Sequence, residues 1–276
     1  MIDNHIEPVS LSDQRYRNEL KYIVPLTVAN PLMDNLLEYC KVDDHADSTG
    51  SYEIASVYYD TEKLDFYMDR EESVPYRRKV RLRVYNRDGR SEALFVEIKE
   101  RHKQKISKKR INLRNMDLLS CGVPHDKISL KLILDNLEDS AEAREIAYLD
   151  DRLGLEPIVL VRYIRKPLIP IWDDTIRLTL DTRITGGGDN LSVYDSAKER
   201  FVLPPDHGLF EVKTNRALPM WLQSVLMRHQ LSQTRFSKYC LAVDAAYQGR
   251  KPWLRTREEP TEDEEGEGLQ KKVVNR

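Results

Sequence analysis

Charged and apolar residues largely alternate in six short segments of the chain. The segments are residues 19–24, 79–83, 96–101, 108–113, 176–181 and 210–213. Alternation with a period of two is typical of a β-strand, because successive side chains point to opposite faces of a sheet. Each of these strands is therefore predicted to have one charged face and one apolar face.

The remaining pattern predicts a sheet covered by several helices. Strands are predicted at 17–24, 52–59, 79–85, 94–101, 108–113, 158–164, 175–183 and 208–214, with a turn at 87–90. Apolar residues at helical spacing predict helices at 27–41, 62–70, 126–150, 219–230 and 237–247. The glycines at 186–188 lack a following Gly-Lys-Ser/Thr, so we interpret them as a flexible connector and not a phosphate loop. Strands that occur in groups predict an α+β fold with a mostly antiparallel sheet.

The charged strand faces allow two interpretations. In most antiparallel sheets the apolar face covers the core and the polar face meets water. Here the charged positions are Arg and Lys with interspersed Glu, and the predicted helices suffice to cover the apolar faces from outside. We therefore predict a closed β-barrel with helices packed outside and charges inside. Such an interior requires a polyanion as its counter-charge.

The distribution of charge supports an anion site. The formal net charge is only −2, but residues 76–110 contain fourteen Lys or Arg and four Asp or Glu. That segment therefore carries +10, and the rest of the chain carries −12. A concentrated positive field in an otherwise acidic protein indicates a focused anion site.

The domain organisation follows from composition. We expect a flexible arm at 1–14, one domain at 15–250 and a charged, disordered tail at 251–276. The three cysteines, Cys40, Cys121 and Cys240, have neither zinc-ligand nor paired spacing, which favours a reducing compartment. The first residues lack the features of a signal peptide, and no apolar run is long enough to span a membrane. A cytoplasmic location is therefore expected.

Glutamates among the cations have two possible roles. A carboxylate beside Lys and Arg can form ion pairs, or it can bind the Mg²⁺ or Mn²⁺ that accompanies a triphosphate. For Glu211 the residues themselves leave both roles open.

Six motifs, taken together, resemble one family. They are Glu19-Leu20-Lys21, Arg81-Leu82-Arg83-Val84-Tyr85, Phe95-Val96-Glu97-Ile98-Lys99, Ile176-Arg177-Leu178-Thr179-Leu180-Asp181, Phe210-Glu211-Val212-Lys213 and Arg235-Phe236-Ser237-Lys238-Tyr239, with Tyr163-Ile164-Arg165 between the third and the fourth. The first resembles the ExK signature of the triphosphate tunnel metalloenzymes, a superfamily that includes CYTH domains. In this order, between about residues 15 and 245, they resemble the catalytic domain of the vacuolar transporter chaperone (VTC) polyphosphate polymerases.

The resemblance implies a triphosphate tunnel that transfers the γ-phosphate of ATP to a growing inorganic polyphosphate chain, with Mn²⁺ or Mg²⁺ as cofactor. It implies catalytic roles for Lys21, Arg81, Arg83, Lys99 and Lys238. It implies phosphate binding by Lys108, Arg165, Arg177 and Lys213, and metal binding by Glu211 and Glu19. Within residues 105–110, Lys108 is chosen because it keeps the inward parity of its strand.

The resemblance also suggests the partners. ATP and inorganic polyphosphate are expected, a specific nucleic acid is not, and a membrane protein is a candidate partner for export. Such a partner would place the chain at the inner face of the membrane. The sequence shows neither a regulatory domain that senses inositol pyrophosphates nor membrane segments, so we expect a free-standing version of the family.

Three other functions remain open from the sequence. The same tunnel could hydrolyse tripolyphosphate or a nucleoside or RNA triphosphate in a metal-dependent reaction. The basic strands could belong to a non-catalytic module that binds polyanions or nucleic acid. Cyclisation of a nucleotide to a cyclic adenylate is the third.

Overall fold

A computed structural model describes residues 18–87, 90–102, 105–113, 128–194 and 199–247. The chain divides into two compact units, 1–246 and 247–276. The predicted arm at 1–14, the tail at 251–276, Cys121 and the centre of the turn at 87–90 lie outside the described residues.

Within the described residues, ten strands form one antiparallel sheet. The strands are β1 (Asn18–Pro25), β2 (Cys40–Val42), β3 (Tyr52–Asp60), β4 (Tyr76–Arg87), β5 (Arg90–His102), β6 (Lys105–Asn112), β7 (Glu156–Pro170), β8 (Arg177–Gly187), β9 (Arg200–Phe201) and β10 (His207–Thr214). Eight of them follow the order β1-β10-β8-β7-β3-β4-β5-β6, while β2 pairs with β7 and β9 pairs with β8. The helices are α1 (Leu26–Leu36), α2 (Asp65–Glu71), α3 (Leu130–Leu134), α4 (Ala141–Leu153), α5 (Met220–Arg228) and α6 (Lys238–Tyr247). The predicted α+β class with a large antiparallel sheet is confirmed.

The sheet has an apolar outer face, which the helices cover in two places. Around β3, β4 and β5, the strand residue Leu82 shares a core with Ile133 of α3 and Ile146 of α4. Around β1, β10 and β8, Phe210 shares a second core with Leu32 of α1. Burying each large apolar side chain contributes about 1.5–3 kcal/mol, so these two cores hold the helices on the outside.

The other face of the sheet, which we call the inner face, carries the charged side chains of the alternating segments. β1 and β5 are the first and seventh strands in the order, six steps apart. In a flat sheet six steps would separate them by about 29 Å. Instead, Lys99 Nζ of β5 lies 3.3 Å from Glu19 Oε2 of β1. The sheet therefore curls until its two ends face each other, with the charged side chains inside.

Hydrogen bonding does not complete the curl. None of the strand pairings within the described residues joins β1 to β6, so the closed barrel predicted from the sequence is not found among them. The free edge of β1 is met instead by the segment before α6, where the Thr234 amide donates to the Lys21 carbonyl at 2.8 Å. The Lys21 ammonium donates to the Phe236 carbonyl in the same segment.

Two predicted helices differ from the structure because other interactions compete with the helical pattern. The helix predicted at 27–41 ends at Leu36, and Cys40 pairs with Pro170 of β7 instead. The helix predicted at 126–150 is divided into α3 and α4. The Ser140 side chain accepts a hydrogen bond from the Ala143 amide and so starts a new helix.

The glycine connector predicted at 186–188 is wrong for its first two residues, which belong to β8. Gly187 pairs with Leu160 and Gly186 with Val161, both in β7. A Cβ atom at Gly186 would lie 2.6 Å from the Ala242 Cβ and 3.0 Å from its Cα. The strand therefore needs glycine there because α6 packs directly on its backbone.

We expect Gly186→Asn to lower the free energy of unfolding by about 1–3 kcal/mol or more, because the added side chain collides with α6. Gly154→Asn is the matched control: Gly154 ends α4 with φ +62°, and a Cβ there meets nothing within 4 Å. Asn tolerates this left-handed conformation, so its cost should be about 1 kcal/mol or less. Urea unfolding of both variants measures the difference. Equal stability would show that α6 does not press on Gly186.

Candidate functional site

Strand register brings charges from different strands side by side on the inner face. Lys21 of β1 is opposite Glu211 of β10, and Glu19 is opposite Lys213. On the other half of the sheet, Glu97 of β5 is paired with Arg81 of β4 and with Arg110 of β6. The charged residues therefore form two centres, one around Glu211 and one around Glu97.

Glu211 is the middle of the first centre. Its carboxylate oxygens lie 3.2 Å from Lys238 Nζ, 3.4 Å from Lys21 Nζ and 3.6 Å from Lys213 Nζ. The Arg165 guanidinium is 3.4 Å away. Burial acts to raise the pKa of Glu211, but Lys238, Lys21 and Lys213 outweigh burial and hold that pKa well below its ordinary value.

Asp181 completes the first centre. Two guanidinium nitrogens of Arg165 donate to the two oxygens of Asp181, each at 2.7 Å. Lys238 Nζ lies 2.6 Å from Asp181 Oδ2. Burial tends to lower the pKa of Lys238, but Asp181 and Glu211 raise it above its ordinary value. Lys238 thus remains a fixed positive charge at the start of α6.

The position of Lys238 depends on the N-terminus of α6. Ser237 precedes the helix, and its Oγ accepts a hydrogen bond from the Cys240 amide at 3.3 Å, as a helix cap does. The same Oγ accepts from Lys79 Nζ at 2.9 Å. Burial lowers the pKa of Lys79 to about 8. The cap therefore joins α6 to β4 at the inner face.

Glu19 connects the two ends of the curled sheet. It is 3.3 Å from Lys99 Nζ, 3.6 Å from Lys21 Nζ and 3.9 Å from Lys213 Nζ. Burial acts to raise the pKa of Glu19, but Lys99 and Lys21 outweigh it and lower the pKa. Burial lowers the pKa of Lys213 to about 8, although Glu211 opposes this effect.

Glu19 and Glu211 fit a divalent cation that is shared with phosphate. Both remain ionised, and they share the ion-pair partners Lys21 and Lys213. Mg²⁺ is commonly held by one or two carboxylates together with phosphate oxygens and water. In the part of the chain that the structure describes, no three His, Cys, Asp or Glu side chains form a metal-binding group. The donor set therefore suits a metal that phosphate completes, and not an all-protein cage.

Glu97 is the middle of the second centre and is fully buried. Arg81 donates to Oε2 through Nε at 2.8 Å and Nη2 at 2.6 Å. Lys108 Nζ lies 2.7 Å from Oε1, and Arg110 donates to the same oxygen. Burial acts to raise the pKa of Glu97, but Arg81, Arg83 and Lys108 outweigh it and hold the pKa well below its ordinary value.

Arg83 lies beside this centre among hydroxyl groups. Its guanidinium donates to Ser56 Oγ at 3.1 Å and to the Tyr163 hydroxyl at 3.3 Å. Burial acts to raise the pKa of the Tyr58 phenol, but Arg81 and Arg83 outweigh it and lower this pKa to about 8. The neighbouring phenols thus act as acceptors: Tyr163 for Arg83, and Tyr58 for Arg81, which also binds Glu97.

Ten of the eleven residues predicted for the site occur in the two centres or beside them: Glu19, Lys21, Arg81, Arg83, Lys99, Lys108, Arg165, Glu211, Lys213 and Lys238. The exception is Arg177. It is opposite Lys213 in register, but its guanidinium donates to Asp43, after β2, and its side chain is 42% exposed.

Four charged residues of the centres were absent from the prediction: Lys79, Glu97, Arg110 and Asp181. Strand alternation had already placed all four on the charged face, so the signal was present in the sequence. Their position in the alternation gave no reason to prefer them over the other charged residues, because their roles depend on the residues they contact on neighbouring strands.

Among the described residues, no helix has both the length and the apolar character needed to cross a membrane.

Comparison with curated proteins gives no match. The fold is similar to that of the PH1819 protein from Pyrococcus horikoshii OT3, with 13% identity, a TM-score of 0.44 and coverage of 83% of this chain and 99% of that one. It is also similar to bh2851 from Bacillus halodurans, described as a candidate adenylate cyclase, with 15% identity, a TM-score of 0.47 and coverage of 81% and 93%. A chain of the Schizosaccharomyces pombe Mediator head module has 10% identity, a TM-score of 0.37 and coverage of 78% and 90%. With TM-scores below 0.5, none of these likenesses bears on function.

The match to a family model, unlike these structural likenesses, identifies the family of this chain. The model of the VTC domain matches residues 16–247, which include every strand and helix described above. The chain therefore belongs to the VTC domain family.

Proposed function

We propose that the chain is a metal-dependent phosphotransferase that moves the γ-phosphate of ATP onto a growing polyphosphate chain. One observation carries the proposal. The inner face holds ten cationic side chains, Lys21, Lys79, Arg81, Arg83, Lys99, Lys108, Arg110, Arg165, Lys213 and Lys238, against four carboxylates, Glu19, Glu97, Asp181 and Glu211. Ten minus four leaves an excess of six positive charges on a largely enclosed surface, which only a polyanion can balance.

The shape of the inner face favours an extended anion. The charged side chains lie on seven strands, β1, β4, β5, β6, β7, β8 and β10, and at the start of α6. They do not converge on one pocket. A polyphosphate chain carries about one charge per phosphate along its length, so it can contact both centres at once. We propose that the curled sheet forms the predicted triphosphate tunnel around it, with the ends of the sheet held by side chains such as the pair Lys99–Glu19.

The reaction needs positioning and charge neutralisation more than covalent help. The bond between the γ-phosphorus and its bridging oxygen in ATP breaks, a terminal polyphosphate oxygen forms a bond to that phosphorus, and ADP leaves. Lys238, Lys21 and Lys213 bind the phosphate oxygens around the transferred group, and arginines such as Arg81 hold neighbouring phosphates in a fixed orientation. Glu211 and Glu19 would hold Mn²⁺ or Mg²⁺, which neutralises charge on the phosphate oxygens when bound.

Binding of phosphate requires the carboxylates to give up partners. In the structure described here, Lys21, Lys213 and Lys238 each lie within 4 Å of Glu211. When phosphate binds, these ammonium groups exchange a carboxylate oxygen for a phosphate oxygen, and the freed carboxylate becomes available to a metal. An exchange of this kind keeps the affinity moderate, which suits a polymer that must move by one unit after each transfer.

The assay that tests the function is incubation of the purified protein with ATP and Mn²⁺. We expect a ladder of long polyphosphate on a stained gel, with equimolar ADP and little free phosphate. Free phosphate without polymer would replace the proposal with triphosphate hydrolysis, and a cyclic nucleotide would replace it with cyclisation. Polyphosphate binding without turnover, unchanged by removal of metal, would leave a binding module.

Two substitutions test the first centre. Lys238→Ala should lower the turnover number at least about 100-fold, because a fixed positive charge on the reacting phosphate is lost. Glu211→Gln should lower it by a similar factor but keep tripolyphosphate binding, because it removes the proposed metal ligand and also an anion that competes with phosphate.

Lys41→Ala and Glu100→Gln are matched controls for these two variants. Both residues lie outside the two centres, Lys41 in β2 and Glu100 on the outward side of β5 near Tyr76. Both variants should keep the activity of the unmodified protein. Normal turnover in folded Lys238→Ala or Glu211→Gln protein would show that the site is wrongly assigned.

Polyanion binding should also stabilise the fold. A ligand that binds only the folded protein at 100 times its Kd adds about 2.7 kcal/mol to the free energy of unfolding. Tripolyphosphate should therefore raise the thermal midpoint, whereas inorganic phosphate at the same ionic strength should do so far less, because it spans one centre only. An equal rise with both anions would contradict an extended site.

A further inference from the structure

Glu97 is as buried as Asp181 and Glu211, but it differs from them in the exposure of the cations that surround it. It has no exposed surface, whereas the cations around it are partly open: the side chains of Lys108 and Arg110 are 38% and 37% exposed. Glu97 therefore lies behind its cations as seen from the interior of the curl. A phosphate that approaches meets Lys108 and Arg110 first and does not reach the carboxylate.

The geometry around Glu97 fixes two guanidinium groups in orientation. Arg81 binds Oε2 through two nitrogens, and Arg110 binds Oε1 through Nε at 2.9 Å and Nη2 at 2.7 Å. The third nitrogen of Arg81, Nη1, donates to the Tyr58 hydroxyl at 2.9 Å. The two hydrogen bonds from Arg81 to Glu97 prevent rotation of its planar guanidinium, which a single bond would allow. Arg110 is held by its Nε hydrogen bond to Glu97 and by a second one from Nη2 to the Tyr85 hydroxyl at 3.4 Å.

One carboxylate thus organises cations from three adjacent strands. Arg81 comes from β4, Glu97 from β5, and Lys108 and Arg110 from β6. β6 is the last strand in the order of the sheet and has β5 as its single neighbour there. Its long basic side chains would otherwise lose considerable rotamer freedom on binding a ligand, and ordering them in advance removes that cost.

We propose that Glu97 is a positioning residue for phosphate: it holds Arg81, Lys108 and Arg110 in one arrangement, so that their outward N–H groups receive consecutive phosphates of the polymer. The inference rests on the proposed function for the identity of the anion. It assigns the β4–β5–β6 side of the inner face to holding the chain, while the centre around Glu211 holds the reacting group.

Glu97 also favours the charged form of Lys108. Burial lowers the pKa of Lys108 to about 7, and Glu97 opposes this effect. The other groups that face Lys108 are Arg110 on its own strand, Arg81 and Tyr85 on β4, and Lys99, its register partner on β5. Of these, the three basic groups disfavour the charged form. Without Glu97, Lys108 would therefore lose its proton at a lower pH.

The experiment compares Glu97→Gln, Glu97→Asp and the control Glu100→Gln in the full chain. Tripolyphosphate affinity is measured by calorimetry from pH 5 to 9, and turnover of ATP is measured in parallel. Ionisation of the ligand is the same for every protein, so a difference in pH midpoint belongs to the protein. Glu100→Gln is the same substitution three residues away on the same strand and should behave like the unmodified chain.

Glu97→Gln should move the pH midpoint of tripolyphosphate affinity down by about one unit or more, because an opposite charge beside Lys108 is lost. It should lower the turnover number about 10- to 100-fold with little change in KM, since misplaced groups affect the transition state more than binding. Glu97→Asp keeps the charge but shortens the reach. It should keep the pH midpoint and lose about 10-fold in turnover.

A lower fraction of folded protein would lower the apparent turnover number at unchanged KM but would not move the pH midpoint. The pH midpoint, together with turnover normalised to the binding-competent fraction from calorimetry, therefore separates positioning from stability. An unshifted pH midpoint in Glu97→Gln together with normal turnover in Glu97→Asp would overturn the proposal. If Glu97→Gln does not fold, Glu97→Asp decides: affinity and turnover equal to those of the unmodified chain overturn it. If the unmodified chain binds tripolyphosphate but transfers no phosphate, the proposed function fails, and the pH midpoint still tests Glu97.

Discussion

The enclosure of positive charge is the constraint on which the rest of the structure depends. Isolated charges in a low-dielectric interior are unfavourable unless they are paired and hydrogen-bonded. The inner face satisfies this requirement with few carboxylates, each of which forms ion pairs with several cations. Glu211 pairs with Lys21, Lys213, Lys238 and Arg165. Glu97 pairs with Arg81, Lys108 and Arg110. This arrangement lets the sheet curl while its interior retains an excess of positive charge for a ligand.

The same constraint explains why the helices lie outside. The apolar side of every alternating strand needs cover, and α1, α5, α3 and α4 supply it in two separate cores. α6 is the exception, because Lys238 at its start reaches Asp181 and Glu211 on the inner face. Its close approach to β8 requires Gly186 in the strand. The helix that carries a site residue is thus the one whose packing tolerates the least change.

Stability and function make different demands on the carboxylates. Without a ligand they hold the cations in place, and binding of the proposed polyphosphate would require them to share or release those cations. The two centres differ in their partners: Glu211 has three ammonium partners and one guanidinium, whereas Glu97 has one ammonium partner and two guanidinium groups, of which Arg81 donates two hydrogen bonds. Burial also brings the pKa of Lys79 and Lys213 to about 8 and that of Lys108 to about 7, so that binding of the proposed phosphate ligand near neutral pH would be coupled to proton uptake.

The sequence by itself determined eight of the ten described strands, the two faces of the alternating ones and the family. Alternation is a local property with a period of two, and it identified Lys21, Arg81, Lys99 and Glu211 as residues of one charged surface before any pairing was known. The resemblance in the ordered motifs is confirmed by the VTC domain match. The tertiary structure alone decided which charges meet, because the partners are distant in sequence: Lys21 and Phe236, for example, are 215 positions apart. It also decided that Arg177 turns to Asp43, that β8 continues through Gly186 and Gly187, and that side chains and not hydrogen-bonded strands bring β1 and β5 together. Each of these outcomes depends on competition between neighbours in space, which a pattern along one strand does not contain.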